Sequence, residues 1–137
     1  IEKELKNAHD LGALLFLDLD NFKEINDTKG HLFGNQVLQY VGKILRRNIH
    51  SDDCAARIGG DEFIAFLSNI HSIDEAAECA ERICNEISQT PFDEIWLSCS
   101  IGVAIYPTEG TEYIDLVDNA DKKLYQAKAH GKNQFSI

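Results

Sequence analysis

The chain has 137 residues and a mass of 15.4 kDa, the size of a single domain. Its composition, 44% hydrophobic and 26% charged, is typical of a globular chain with a buried core and excludes disordered and low-complexity classes. A net charge of −10 excludes nucleic-acid binding by general electrostatics, but it allows one phosphorylated small molecule held with a divalent cation.

The beginning of the chain and its cysteines indicate the setting of this domain. Apolar residues at Ile1, Leu5 and Ala8 predict a helix that is already under way, and no charged-then-apolar leader precedes it. We therefore expect one domain, residues 1–137, excised from a longer protein, with no membrane contact of its own. The four cysteines form no Cys-x-x-Cys pair, which favours reduced, mostly buried thiols in a cytoplasmic protein.

The first half of the chain predicts a strand, a loop, a helix and a hairpin. Residues 13–19 are a short apolar run that ends in acids, which indicates a buried strand, and residues 20–30 are polar and turn-rich. Residues 34–49 carry an apolar stripe at helical spacing. Two strand-like runs, residues 54–58 and 62–67, flank a Gly-Gly pair and predict a hairpin.

The second half predicts two more helices and two more strands. Ser72 followed by Glu75 is a capping-box signal for a helix that extends to about Ser88. Residues 95–106 are strand-like, with an interruption expected at Gly102. A last helix is predicted over residues 111–129, and a short strand over 134–137. The inward face of that helix is expected to carry four residues: Ile114, Val117, Leu124 and Ala127.

This order of elements, β-α-β-β-α-β-α-β, predicts an α+β domain. Its core is the βαββαβ arrangement of ferredoxin-like folds, in which helices pack on one face of a central antiparallel sheet.

Acidic residues occur where a strand end and a hairpin are predicted. Asp18 and Asp20 close the first strand, and Asp61 and Glu62 follow the two glycines of the hairpin. An Asp-x-Asp at a strand end is by itself more often a solvated loop entry than a site. If the first strand and the hairpin are neighbours in the sheet, Asp18 converges with Asp61 or Glu62. Hard oxygen ligands at one point suit Mg²⁺, which completes its shell with water and substrate phosphates.

Three sequence blocks make the assignment more specific. Residues 57–63, RIGGDEF, resemble the signature of the GGDEF family, the diguanylate cyclases that make cyclic di-GMP from two GTP. Residues 18–31 resemble the first motif block of that family, and residues 124–133 resemble its C-terminal block, in the same order along the chain. The resemblance implies a nucleotidyl-cyclase or palm-like version of the predicted fold.

The resemblance also implies a metal site and a proton acceptor. Asp18 and Asp61 would bind the metal through their side chains, with the Leu19 carbonyl as a third ligand and Glu62 assisting. The metal would be Mg²⁺, with Mn²⁺ as a possible substitute. Asp61 would also accept the proton of the attacking 3′-hydroxyl.

The substrate contacts implied by the resemblance lie in the first and last blocks. Phe22 and Lys23 would offer backbone amides and charge to phosphates, Asn26 would contact guanine, and His31 would lie near the substrate. Lys128 and Lys132 would bind the terminal phosphates. Without the resemblance, these two lysines are favourable cations at a helix C-terminus, which is a common arrangement.

Two positions depart from the family pattern. Many members have an inhibitory product site that is written Arg-x-x-Asp just before the signature; here Asp53 is present, but His50 replaces the arginine. Asn35 stands where the family usually has an aspartate that touches guanine.

The function implied by the resemblance is a metal-dependent diguanylate cyclase that acts as a homodimer. Each domain would hold one GTP, and a fused sensor or dimerisation domain would bring two domains together. The expected location is the cytoplasm, in a parent protein that can itself be membrane-anchored. The alternative is a regulatory GGDEF module that binds GTP with little or no catalysis, and Asn35 keeps this alternative open. A third hypothesis, a cyclic di-GMP receptor, is weakened by His50.

Overall fold

The structure is a computed structural model that describes residues 11–137. The helix predicted from Ile1, Leu5 and Ala8 lies outside the described residues. Over residues 11–137 the chain forms five strands and four helices, in the following order: β1 Leu11–Leu19, α1 Phe22–Lys29, α2 His31–Arg47, β2 Cys54–Gly59, β3 Glu62–Ile70, α3 Ile73–Gln89, β4 Cys99–Tyr106, α4 Tyr113–Ala129 and β5 Gln134–Ser136.

The strands form one sheet in the order β2-β3-β1-β4-β5. The pairs β2–β3, β3–β1 and β1–β4 are antiparallel, whereas β5 runs parallel to β4. The predicted α+β fold with its βαββαβ core is therefore confirmed, and the sheet is mixed because of β5. β1 is central, so its C-terminal end lies between the ends of β3 and β4.

Helices cover both faces of this sheet, which corrects the expectation that they pack on one face. Leu15 and Leu17 of β1 belong to a core that also contains residues of α1, α2 and α3. The alternate residues Leu14 and Phe16 belong to a second core with α4. Because successive side chains of a strand point to opposite faces, a strand that is buried along its whole length needs a cover on each side.

The inward face of α4 differs from the prediction. Ile114 is 73% exposed, and the buried residues of α4 are Leu116, Ala120, Leu124 and Ala127. Gly102 of β4 explains why a different face of α4 is buried, because a side chain at Gly102 would overlap the backbone of α4 at Ala120 and Leu124. The helix thus packs directly on the strand backbone, and a small residue must face the strand. An interruption of the strand was expected at Gly102, but β4 continues through this residue.

Residues 20–30, predicted as a polar loop, contain α1. The helix starts after Asn21, whose φ of 59° is left-handed and whose side chain makes no capping bond within the described chain. Phe22 is buried in the core with α2 and α3. Packing of this aromatic ring, rather than a local start signal, therefore accounts for the helix.

The segment before β4 also departs from the predicted strand. Residues 95–98 lie outside the sheet, because Phe92 and Ile95 exchange backbone hydrogen bonds of 2.8 and 2.9 Å with each other. The carbonyl of Ser98 is thereby free to accept the backbone N–H of Asp20 at 3.0 Å.

The cysteines agree with the prediction of reduced, mostly buried thiols: Cys79, Cys84 and Cys99 are buried, Cys54 is half-buried, and all four are free thiols. In the described part of the chain, no helix has the length and apolar character required to cross a membrane.

Candidate active site

The predicted carboxylates meet at one end of the sheet. β1 and β3 are direct neighbours, and Asp18 pairs with Glu62 across them. The backbone N–H of Leu19 donates to the carbonyl of Asp61 at 3.3 Å. The condition set by the sequence, that the first strand and the hairpin lie side by side, is therefore met.

The turn between β2 and β3 brings Asp61 to this end. Gly60 has φ 47°, a left-handed conformation that a side chain would strain. The Arg57 guanidinium donates from Nε to the carbonyl of Gly60 at 2.9 Å, which braces the turn from the β2 side. The β2–β3 pairing shifts register between Arg57 and Gly59, so the hairpin tip bends away from a regular ladder.

Asp18 carries a carboxyl group whose pKa is strongly raised. Its side chain is 17% exposed, and Oδ2 lies 2.9 Å from Lys128 Nζ. Oδ1 is buried and has no hydrogen-bond partner among the described residues. Burial and the Asp61 side chain raise the pKa of Asp18 to about 6, although Lys128 opposes the shift. A desolvated carboxylate oxygen without a partner is available to a cation.

Glu62 experiences the same crowding of negative charge. Partial burial raises the pKa of Glu62, the carboxylates of Asp18 and Asp121 raise it further, and Lys128 lowers it. Within residues 11–137, no three His, Cys, Asp or Glu side chains form a complete metal-ligating group. A cation here would need the backbone carbonyl at Leu19, water or phosphate oxygens in addition to carboxylates.

Asp20, to which the sequence analysis gave no role, is buried beside this cluster and is 3% exposed. Its carboxylate accepts hydrogen bonds from the hydroxyls of Ser98 (2.6 Å) and Ser100 (2.7 Å) and from the backbone N–H of Asn133 (3.0 Å). The second aspartate of the Asp-x-Asp pattern was the available signal, because a charged residue at the end of a buried strand needs partners.

The two lysines of the C-terminal block approach the same strand end. Lys128, in the last turn of α4, lies 2.9 Å from Asp18 and 3.9 Å from Asp20. Lys132 follows the helix and donates from Nζ to the Asn21 side chain at 2.9 Å. Both ammonium groups therefore lie against the end of β1 and the residues just after it, a specific contact that a cation placed only for the helix C-terminus would not need.

The residues expected to contact guanine lie on α1 and α2. Asn26 is half-buried, and its Oδ1 is buried without a partner within residues 11–137. That oxygen lies against Gly34, where any side chain would overlap it. Asn35 is exposed and lines a groove that also contains Leu38 and Arg57.

The remaining residues expected near the substrate surround α1. Phe22 is buried and contributes its ring to the core, so its backbone is what remains for a ligand. Lys23 is exposed on α1, and His31 is exposed at the first position of α2.

His50 and Asp53 lie away from this cluster, at the opposite end of β2 from the hairpin turn. Asp53 accepts the backbone N–H groups of His50 and Ser68, each at 2.9 Å. The cleft that contains these residues is also lined by Arg82 of α3, which the sequence analysis did not connect with them.

Comparisons with known proteins agree with this geometry. The family model described as "Diguanylate cyclase, GGDEF domain" matches residues 1–134. The chain is 43% identical over 127 residues to diguanylate cyclase DgcS of Shewanella oneidensis, covering 91% of this chain and 42% of that protein. It is 41% identical over 127 residues to the bifunctional diguanylate cyclase/cyclic di-GMP phosphodiesterase MucR of Pseudomonas aeruginosa, covering 90% of this chain and 18% of that protein.

The fold also matches a solved structure. The GGDEF domain of YfiN (TpbB) from Pseudomonas aeruginosa superposes with a TM-score of 0.93 at 33% sequence identity, covering 98% of this chain and 88% of that one. The chain thus spans less than half the length of the two curated relatives but nearly all of an isolated domain.

Proposed function

The chain belongs to the GGDEF family of diguanylate cyclase domains, and from that membership we propose that it condenses two GTP into cyclic di-GMP and two pyrophosphates. The observation that carries the proposal is the meeting of Asp18, Leu19 and the Gly-Gly-Asp-Glu turn at one end of the sheet, with Lys128 beside them. Carboxylates that can bind a metal ion, together with a lysine that can bind phosphate, suit a metal-bound triphosphate at this end of the sheet.

The residues present fit a divalent cation. Asp18 has a buried oxygen without a partner in the described chain, and its pKa is raised by burial and by Asp61, so a cation would relieve an unfavourable arrangement. Asp18, Asp61 and the Leu19 carbonyl would hold Mg²⁺ or Mn²⁺, with Glu62 assisting. When bound, the ion neutralises phosphate charge and lowers the pKa of the attacking hydroxyl.

The substrate would extend from the lysines toward the polar side chains of α1 and α2. Lys128 and Lys132 would bind the terminal phosphates, while the backbone at Phe22 and the charge of Lys23 would bind the phosphates nearer to the ribose. Asn26 and Asn35 would contact the guanine edge, with His31 nearby. Oδ1 of Asn26 has no hydrogen-bond partner within residues 11–137, and this supports the orientation, because a buried amide oxygen needs a donor.

Each condensation step forms one P–O bond and breaks another. The 3′-oxygen of one GTP attacks the α-phosphorus of the second, the bond from that phosphorus to the β-phosphate oxygen breaks, and pyrophosphate leaves. The Asp61 carboxylate would accept the proton of the 3′-hydroxyl. Repeating the step with the roles exchanged closes the ring.

One domain holds one GTP in this account, so two copies must face each other. The curated relatives are longer proteins, of which this chain spans 42% and 18%, and this leaves ample sequence for sensor or dimerisation domains. The free thiols support a reducing compartment such as the cytoplasm, where GTP is also found.

A second candidate function is a regulatory module that binds GTP with little turnover. Asn35 favours it, because an amide pairs less well than a carboxylate with the two donors of guanine.

The rate of product formation at increasing chain concentration separates these functions. For the cyclase, the rate of cyclic di-GMP formation per chain rises with concentration in the presence of Mg²⁺ and GTP, and fusion to a dimerising coiled coil removes that dependence. Binding of 3′-deoxyGTP, which lacks the attacking hydroxyl, together with no product from GTP in the dimerised fusion, would establish the module instead.

A further inference from the structure

Asp20 connects three segments that are distant in sequence. Its side chain accepts hydrogen bonds from Ser98, just before β4, from Ser100, in β4, and from Asn133 after α4. Its backbone N–H also donates to the Ser98 carbonyl at 3.0 Å. The end of β1, the start of β4 and the loop after α4 are therefore joined through one buried carboxylate.

The loop that Asp20 holds has a conformation that needs support. Lys132 and Asn133 have φ values of 64° and 49°, both left-handed, a conformation that is unfavourable for lysine and better tolerated by asparagine. The hydrogen bond from the Asn133 N–H to Asp20 compensates part of that cost. It also fixes the direction in which Lys132 leaves the helix end, toward Asn21.

The charge of Asp20 acts on the other lysine. Lys128 Nζ lies 3.9 Å from Asp20 Oδ1 and 2.9 Å from Asp18 Oδ2, so it is held between the two aspartates. The Asp20 side chain is fully buried, and a buried charge of this kind is tolerated when hydrogen bonds and an opposite charge surround it.

We propose that Asp20 is a positioning residue: it sets the position of the segment from Lys128 to Lys132 relative to the strand end that carries Asp18 and Leu19. This inference rests on the proposed function for its consequence, which is the alignment of the triphosphate with the metal-binding carboxylates. Asp20 itself touches neither substrate nor metal in this account. Misplacement of such groups by about 1 Å is enough to cost a large factor in rate or affinity.

Amide hydrogen exchange of the nucleotide-free, metal-free chain tests the connection directly. In Asp20→Ala, exchange at Asn133 and its neighbours should accelerate by about tenfold or more, while amides in the centre of β1 and β3 keep their protection. Ser98→Ala removes one of the three donors and should give a smaller acceleration at the same amides. Unchanged exchange at Asn133 in a folded Asp20→Ala chain overturns the proposal.

Binding of 3′-deoxyGTP with Mg²⁺ tests the consequence. Asp20→Asn keeps one acceptor oxygen but removes the charge beside Lys128, and it should weaken binding by about tenfold. If Asp20 acts through the lysine segment, the loss in a Lys132→Ala background is smaller than in the native background. Full additivity of the two losses indicates an independent structural effect and contradicts the proposal.

The exchange and binding measurements distinguish a failure of this proposal from a failure of the proposed function. A native chain that binds no 3′-deoxyGTP refutes the proposed function, and the exchange measurement then decides by itself whether Asp20 holds the segment. If Asp20→Ala fails to fold, Ser98→Ala decides instead: accelerated exchange at Asn133 supports the proposal, and native-like exchange overturns it.

Discussion

Lys128 Nζ lies 2.9 Å from Asp18 Oδ2, so a lysine assigned to phosphate binding is paired with a carboxylate assigned to metal binding. Both side chains are partly buried, at 29% and 17% exposure. In the ligand-free chain each group neutralises the other. Lys128 therefore offsets part of the cost of crowding carboxylates at this strand end, and a metal-bound triphosphate would give both groups a new partner of opposite charge.

Replacing Lys128 should weaken nucleotide binding. Lys128→Ala removes a charge-assisted contact to phosphate, and we expect 3′-deoxyGTP affinity to fall by about ten- to a hundredfold. Lys122→Ala, an exposed lysine of the same helix, is the matched control and should leave the affinity unchanged. Titration calorimetry with Mg²⁺ measures both, and equal affinities of the two variants would refute the assignment of Lys128.

The raised pKa of Asp18 predicts a pH-dependent cost in stability. In the unfolded chain this carboxyl loses its proton near pH 4, whereas in the folded chain it does so at about 6. As pH rises between these values, only the unfolded state releases the proton, so the folded state loses stability. Above pH 6 the full cost is present.

Asp18→Asn should therefore be more stable than the native chain at pH 7, by about 1–3 kcal/mol, with the difference vanishing below pH 4. Urea unfolding in metal-free buffer at several pH values measures the gap, with the exposed Asp118→Asn as control. A gap that stays constant from pH 4 to pH 7 would show that burial does not perturb Asp18.

Asn35 should weaken guanine recognition without abolishing it. The guanine edge presents two adjacent donors, which a carboxylate accepts together and an amide does not. We expect Asn35→Asp to tighten 3′-deoxyGTP binding by about tenfold or more, and the native chain to prefer GTP over ATP still, because Asn26 is retained. Gln36→Glu adds the same charge at the next exposed position and serves as control. Tighter binding of ATP than GTP to the native chain would reopen the substrate assignment.

His50 should leave the product site weak. An arginine fork grips guanine or phosphate in two places, and histidine does not reproduce it. We expect weak binding of cyclic di-GMP to the native chain and at least about tenfold tighter binding to His50→Arg, since Asp53 and Arg82 already line that cleft. Ser51→Arg, which places the same charge at the adjacent exposed position, serves as the control. Low-micromolar inhibition of the native chain by cyclic di-GMP would contradict this expectation.

Local sequence signals predicted the elements that local interactions form. Ser72 caps α3 as expected, because its side chain accepts the N–H of Glu75 at 3.3 Å, and the Glu75 carboxylate accepts the N–H of His71 at 2.6 Å. Asn21 and Glu24 have the same spacing, but the Asn21 side chain makes no capping bond within the described residues, and α1 was missed. The inward face of α4 was also wrong at Ile114, because the close approach at Gly102 is a contact between distant parts of the chain.

In the site, too, features that depend on contacts between distant parts of the chain were harder to predict than local ones. Convergence of Asp18 with Asp61 and Glu62 needed one assumption, the adjacency of two strands, and the structure confirms that adjacency. The Asp-x-Asp pattern indicated that Asp20 needs partners but not which ones, since Ser98 and Asn133 lie 78 and 113 residues further along the chain. A single sequence carries no pattern that relates such positions.

The measurement that tests the account most directly is cyclic di-GMP formation by the chain fused to a dimerising coiled coil, with Mg²⁺ and GTP, before and after Asp61→Asn. The native fusion should release two pyrophosphates for each cyclic di-GMP. Asp61→Asn should lower turnover by about two orders of magnitude or more with little change in thermal stability, because the exchange removes a metal ligand and proton acceptor at a hairpin tip. Asp93→Asn, in an exposed loop, should match the native rate. Near-native product formation by Asp61→Asn would contradict the account.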